Sequence, residues 1–477
     1  MAANPIQLAD VSPGILSLSE RLVADWYRID ADTIPQSVRD KTVLCLKDTI
    51  GVALAARSLG VGLAASQVAL EAGGPAHASI WGAGAAASVE DAAFANGMLA
   101  HALDFDDTHA AAIMHSSAVI VPVALALGEK LKLPGREILA SLIVGYQIAA
   151  RLGRLAPGPF QDHGFQATSV LGVFAATIVA ARMMNLDAQQ AVNALGTAGS
   201  MASGLMEYLA DGSDVKQMHP GWAALSGIRA ARLARAGFQG PRTVFEGKFG
   251  VFRSFAGVDV AGKMRDAGGA PWEVELMAPK PYPACLCLHA PVQAILALRE
   301  QGKVSADRVD EIASIHCDVP QWYVDLIFEP RAAKAAPRTP YEARFSAAWC
   351  MARALLDGHL DVWSFSPDKL TDPAACRLAE RVSCSAEVLP EFPAAFPARV
   401  TVRLKNGTTH AHYVGHNLGT PGNPMSAADI GRKFDACAIP ALGETRAASL
   451  SALIDAIGEK DGAQALFEQL RITAANN

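Results

Sequence analysis

DGSDVKQMHPGWAALSGIRAARLARAGF runs from Asp211 to Phe238, and its reading decides how the surrounding chain folds. The second half repeats apolar residues at helical spacing, carries arginines near its end and stops at Gly237, the marks of a helix and its C-terminal cap. Asp211 and Gly212 read as a turn. Pro220 is placed where a helix opens, a position at which its missing N–H costs nothing. Lys216 and His219 lie between, and because the segment interrupts a long uncharged stretch, Lys216 is expected to project from buried surroundings. A solvent-facing loop with an ordinary lysine is the plainer alternative.

Working outward, the pattern is helical from about Leu16 to about Ala236. KTVLCLKDTIGVALAAR places Val43, Leu46, Ile50, Ala53 and Leu54 on one face, and GREILASLIVGYQIAARLG reads as a helix stopped by Gly153. Two uncharged stretches, Gly164 to Ala181 and Ala191 to Met206, are broken by Gln, Asn, Ser, Thr and Gly, so they read as buried helices rather than membrane spans. After Pro279 the period changes. EIASIHCDV, ERVSCSAEV and ARVTVRLKNGTTHAHYV alternate polar and apolar residues, and Asn406-Gly407 predicts a type I′ hairpin. Helical stretches separate these strands, and the tail from about Ser426 is helical again. The expected fold is mainly α with an α+β second domain. Residues 1–275 begin a large helical domain, 276–415 form the smaller α+β domain, and 416–477 return to the first.

The chain has 477 residues, enough for two cores, and 51% of them are apolar while 18% are charged. With a formal charge of -6 and no block of Lys or Arg, nucleic acid and anionic membrane are poor partners. The eight cysteines are scattered without a C-x-x-C pair, which fits a reducing cytoplasm. The start, MAANPIQLADVSPG, lacks a basic and then apolar leader, so no export is expected.

Three further segments carry chemistry. HALDFDDTH crowds His101, Asp104, Asp106, Asp107 and His109 together, a set able to ligate iron or manganese, although it matches neither H-E-x-x-H nor an EF-hand loop. The plainer reading is a helix end with a capping aspartate; against it, three crowded carboxylates perturb one another and mark working sites. APKPYPACLCLHA holds Lys280 and Cys285 on a proline-stiffened junction, where clefts between domains form. HGFQATS, from His163 to Ser169, precedes an uncharged helix whose N-terminus suits an anion. There is no G-x-G-x-x-G, Walker A or G-x-S-x-G motif.

In this order, AHALDFDDTH, HGFQATSVLGVFAA, DGSDVKQMHPGWAALSGIRAARLARAGFQGPRTVFEG and KPYPAC resemble the MmgE/PrpD family. Its activities include 2-methylcitrate dehydratase, cis-aconitate decarboxylase and iminodisuccinate epimerase. The resemblance implies a homodimer and a pocket that needs no cofactor or metal. Asp104, Thr108, His115, Lys216, Lys280 and Tyr323 are then the catalytic residues, with His163, Gln166, His219 and Cys285 binding substrate. Gln166 and Cys285 stand where decarboxylase-like members carry histidine, and glutamine cannot shuttle protons.

These residues suit proton transfer beside a carboxylate. His115 is the expected base, with Asp104 orienting it. Lys216 and Lys280 would stabilise an enediolate-like intermediate. Tyr323 would protonate the leaving hydroxyl. The expected protein is a cytoplasmic lyase on a small di- or tricarboxylic acid, dehydratase-like, with an isomerase or epimerase as the alternative and a metal-dependent hydrolase as the third reading.

Overall fold

The computed structural model describes residues 16–27, 29–261, 263, 271–392, 395–459 and 462–472. The stretch MAANPIQLADVSPG, read above as lacking a leader, lies outside them.

Two apolar cores form. The first gathers buried residues from Leu18 to Met277, then Val362 and the stretch from Phe434 to Leu470, so both ends of the chain share it. The second holds residues between Ala284 and Val414. The fold is mainly helical with a small mixed-sheet unit.

The first core is built on α1 (Gln36–Ser58), α2 (Val89–His101), α3 (Ser117–Leu131), α4 (Gly135–Leu155), α5 (Ala167–Met183) and α6 (Val215–Arg235). Small residues let these helices approach closely. A Cβ added at Gly221 of α6 would meet the Phe94 carbonyl of α2 at 2.4 Å, so only glycine allows this crossing. The crossing sets the first turns of α6 beside the end of α2, where HALDFDDTH begins. From the C-terminal stretch, α9 (Ala427–Leu442) packs along α1 and ties to it by Lys433–Asp48 at 2.6 Å.

In the second unit α7 (His289–Glu300) packs against α8 (Ala347–Asp357) and on a four-stranded sheet. Its strands are β5 (Ile312–Val319), β6 (Val382–Ala386), β7 (Ala398–Leu404) and β8 (Thr409–Val414), in the order β6-β5-β7-β8. β5 pairs parallel with β6 and antiparallel with β7. Short strands β1 (Ala78–Ile80) and β2 (Ala85–Ala87) pair in the first unit. β3 (Thr108–His109) pairs with β4 (Met277–Ala278) and so links the acidic loop to the approach to Lys280.

Three local expectations are corrected. Pro220 lies inside α6, which starts five residues earlier at Val215. Gly153 does not stop α4, which runs on to Leu155; it is glycine because a Cβ there would meet the Ala112 side chain at 2.6 Å. In the β7–β8 hairpin Gly407 has φ +89° and Asn406 is not left-handed, so the turn is not type I′, which needs positive φ at both central residues. Among the described residues one helix, α4, has the length and hydropathy to cross a membrane, and 83% of that window is buried inside the fold.

Candidate active site

α2 ends at His101, and the chain then turns through Asp104, whose φ of +51° is left-handed, a conformation aspartate tolerates better than most residues. Two ammoniums converge on its carboxylate. Lys216, in the first turn of α6, donates to Oδ1, and Lys280 lies 3.2 Å from the same oxygen. Lys280 also donates to the Asp104 carbonyl at 2.8 Å. All three side chains are buried. Burial pushes the Asp104 carboxyl up, but Lys216 and Lys280 together outweigh it and hold the group well below the ordinary carboxylate range. Asp104 is therefore an anion whose charge two cations more than balance.

His115 follows on the next turn of chain. Its Nδ1 meets the Asp107 carbonyl at 3.0 Å and the Asp106 carboxylate at 3.3 Å. Both partners only accept, so the proton is assigned to Nδ1 and the lone pair to Nε2. Asp106 also takes His101 Nδ1 at 2.8 Å, and the two imidazoles meet edge to face at 4.8 Å. The orienting carboxylate is thus Asp106, not Asp104. Burial depresses His115 to about 4, although Asp106 works against the shift. At neutral pH the ring is an uncharged proton acceptor, weaker than its intrinsic pKa suggests until an anion binds nearby.

These groups open onto a cavity of about 270 Å³. Asp104, Thr108, His115, Gln166, Lys216, Lys280 and Cys285 all line it. The wall draws on the acidic loop, the start of α5, the start of α6 and the proline-stiffened junction after β4, segments far apart in sequence. Such convergence is what a single substrate needs.

Most of the chain matches one family. The MmgE/PrpD N-terminal domain matches residues 20–261, and the MmgE/PrpD C-terminal domain matches residues 282–458. The chain belongs to the MmgE/PrpD family. Among curated relatives, cis-aconitate decarboxylase of Homo sapiens is 30% identical over 361 residues, 72% of this chain and 72% of that protein. That of Mus musculus is 28% identical over 397 residues, 80% of this chain and 78% of the relative. That of Aspergillus terreus is 25% identical over 455 residues, covering 91% of each.

Three residues expected from the MmgE/PrpD resemblance do not reach the cavity wall. His163 is exposed, follows the short helix Pro159–Asp162 and packs against Gly257, while Gln161 and Asp162 face the cavity instead. His219 stands behind Gln166, whose amide oxygen meets its Nδ1. Burial holds His219 at about 4, so it is an uncharged prop for the amide. Tyr323 is fully buried in the second core, stacked on Phe396 at 6.2 Å, and its hydroxyl has no partner among the described residues. Its neighbours Trp322 and Leu326 line the cavity in its place.

The tyrosine on the wall is Tyr208, which the sequence reading missed. It is 4% exposed, and its ring lies edge-on to His219 at 5.8 Å and to Tyr341 at 6.3 Å. Burial, with Asp104 and Cys285 nearby, pushes its phenol up, so it keeps its proton. A hydroxyl-bearing aromatic three residues before Asp211, in a stretch otherwise poor in polar groups, was the available signal. Arg344 does not line the cavity; it is buried, lowered by burial to about 10, and donates to the Leu103 carbonyl at 3.0 Å, which ties the start of the acidic loop to the second unit.

The five ligands of the metal reading disperse. Asp104 serves the lysines, His109 Nε2 faces Glu273 at 3.1 Å, and Asp107 accepts from Ser117 at 2.5 Å. One group of potential ligands remains close among the described residues: His101, Asp106 and His115, with one atom from each within 4.8 Å of the others. Of these only His115 reaches the cavity, so an ion held there would sit behind the wall.

Proposed function

We propose that this chain is a cofactor-free lyase of a small di- or tricarboxylic acid, which removes a proton from the carbon beside a carboxylate and expels water. The observation that carries the reading is the convergence of Lys216 and Lys280 on Asp104 in the wall that also presents His115. Forming an enediolate-like intermediate, with charge spread onto carboxylate oxygens, needs a base beside fixed cations, and this wall supplies both. The names of the curated relatives support carboxylic-acid lyase chemistry.

His115 Nε2 takes the carbon-bound proton, Asp106 and the Asp107 carbonyl hold the ring, and Thr108, 3.3 Å from Nδ1, limits its rotation. A positioned base supplies about 10²–10⁴-fold, or about 3–5 kcal/mol. Each buried ammonium aimed at the developing charge adds about 3–4 kcal/mol. Tyr208 donates to the departing hydroxyl, the role expected of Tyr323. Carbon–carbon cleavage is the weaker reading, because the wall positions of Gln166 and Cys285 offer an amide and a thiol where decarboxylase-like sequences offer imidazoles.

Proton NMR in deuterated water tests this, with citrate, 2-methylcitrate, cis-aconitate, malate-type acids and iminodisuccinate beside a His115→Ala control. New vinyl signals that the control abolishes are expected. Exchange at carbon without elimination would make the enzyme an isomerase, and carbon dioxide release would make it a decarboxylase.

A further inference from the structure

The charge of the cavity wall says more about the substrate. Two lysines line it, Lys216 and Lys280, and two carboxylates line it, Asp104 and Asp162. These cancel formally. His115 adds no positive charge near neutral pH, since burial holds it at about 4. Gln166 and Cys285 add none either.

The uncharged donors are few and local. Thr168 Oγ1 accepts from the His115 backbone N–H at 3.1 Å, which leaves its own O–H free to donate. The Thr108 hydroxyl and the Gln166 amide stand in the same wall. One carboxylate on the lysine pair and a second on these donors leave two polar groups, the Tyr208 hydroxyl, which serves the departing hydroxyl, and the Gln161 amide, which stands beside the Asp162 carboxylate and so receives a third anion poorly. Beyond them the surface is mostly apolar, with Ile113, Met206, Leu209, Leu286, Trp322 and Leu326 among its residues. A third carboxylate placed there would lose its hydration without gaining a partner, whereas an alkyl group would gain by burial.

We infer that the site takes an alkyl-substituted hydroxydicarboxylate and discriminates against tricarboxylates. The inference rests on the lyase reading above and narrows it. The step balances as an elimination: the C–H pair forms the new C=C bond, His115 takes the proton, the C–O bond breaks, and the hydroxyl leaves as water with the proton of Tyr208, which the proton on His115 restores through solvent.

The test is kcat/KM, from vinyl-proton appearance, for malates bearing methyl, ethyl and isopropyl groups at the hydroxyl carbon, beside citrate and 2-methylcitrate. The expected result is a rise of about fourfold for each added methylene, with the isopropyl acid ahead of both tricarboxylates. Equal rates along the alkyl series, or a tricarboxylate ahead of it, would overturn the inference while leaving the lyase reading intact. A wild type inert toward every acid would instead remove the lyase reading, and this inference with it. Leu209→Lys gives a second measurement, because Leu209 is 44% exposed at the cavity rim and its replacement leaves the core untouched. The added cation is expected to raise citrate relative to isopropylmalate by about fivefold, the scale of one part-exposed ion pair. An unchanged ratio would count against the inference.

Discussion

Asp104 and Asp107 lie three residues apart on one loop, both almost fully buried, and their surroundings drive them in opposite directions. On the cavity side, Lys216 and Lys280 overcome burial and keep Asp104 ionised. On the inner side, burial and the neighbouring Asp48 push Asp107 up to about 7, with the Ser117 hydroxyl only partly offsetting them. Ser117 in turn meets the Tyr146 hydroxyl at 2.6 Å. One loop therefore has a charged face that meets the cavity and a nearly neutral face that meets the core. Asp106, between them, is held well below the ordinary range, because His101 and His115 outweigh its burial. Crowding of acids alone does not tell which is which; the cations brought from elsewhere in the chain do.

Breaking the charged face is expected to have the largest effect. Asp104→Asn keeps the volume and suits the left-handed backbone, but leaves two buried ammoniums without their anion. Removing one partner of a buried pair costs about 3–5 kcal/mol, so thermal denaturation should show a large loss along with turnover. A variant as stable as wild type would mean that solvent, not Asp104, carries those charges.

His115→Ala should lower kcat/KM by about 10²–10⁴-fold. The same base sets the pH dependence. It must be unprotonated, so kcat/KM rises with pH through about 4 and then levels. Asp106 raises the His115 value, so Asp106→Asn should move that limb to lower pH, with a smaller loss of rate. A limb that stays put would return the orienting role to another group. Tyr208→Phe keeps the ring contacts with His219 and Tyr341 and removes only the hydroxyl. Elimination should fall by about 10²-fold while exchange of the carbon-bound proton persists. Loss of both together would make Tyr208 a wall rather than an acid.

The contrast between the two faces also marks what the sequence could tell. The helices were legible because their apolar residues recur at helical spacing: the KTVLCLKDTIGVALAAR pattern lies within α1, and the alternating runs after Pro279 became β5 to β8. Pro220 misled because it is an N-terminal signal on average, while here the helix begins before it and Gly221 packs against α2. The lysine pair and the acidic loop were legible as motifs, but their pairing was not, since Lys216 lies 112 residues from Asp104 and only the α2–α6 crossing joins them. That Tyr208 and not Tyr323 lines the cavity was hidden for the same reason. Which of two tyrosines faces a cavity is decided by packing between units, here the stacking on Phe396, and no local spacing encodes it.

Asp107 is expected to give the smallest effect, and it bears on the inner face of the loop alone. The folded chain holds the Asp107 proton until about pH 7, whereas the unfolded chain releases it near the ordinary carboxylate value. Between those limits the native state binds more protons than the unfolded one, so stability should fall as pH rises from about 4 to 7. Asp104 has the opposite sign: its contribution is present at neutral pH and is lost as pH falls toward its depressed value. Asp107→Asn has no proton to release, yet its amide oxygen can still accept from Ser117. Its melting temperature should therefore decline less than that of wild type between pH 5 and pH 8, and exceed wild type at the upper end. Equal declines in both proteins would mean that Asp107 is ionised throughout, and the loop would then carry charge on its inner face as well.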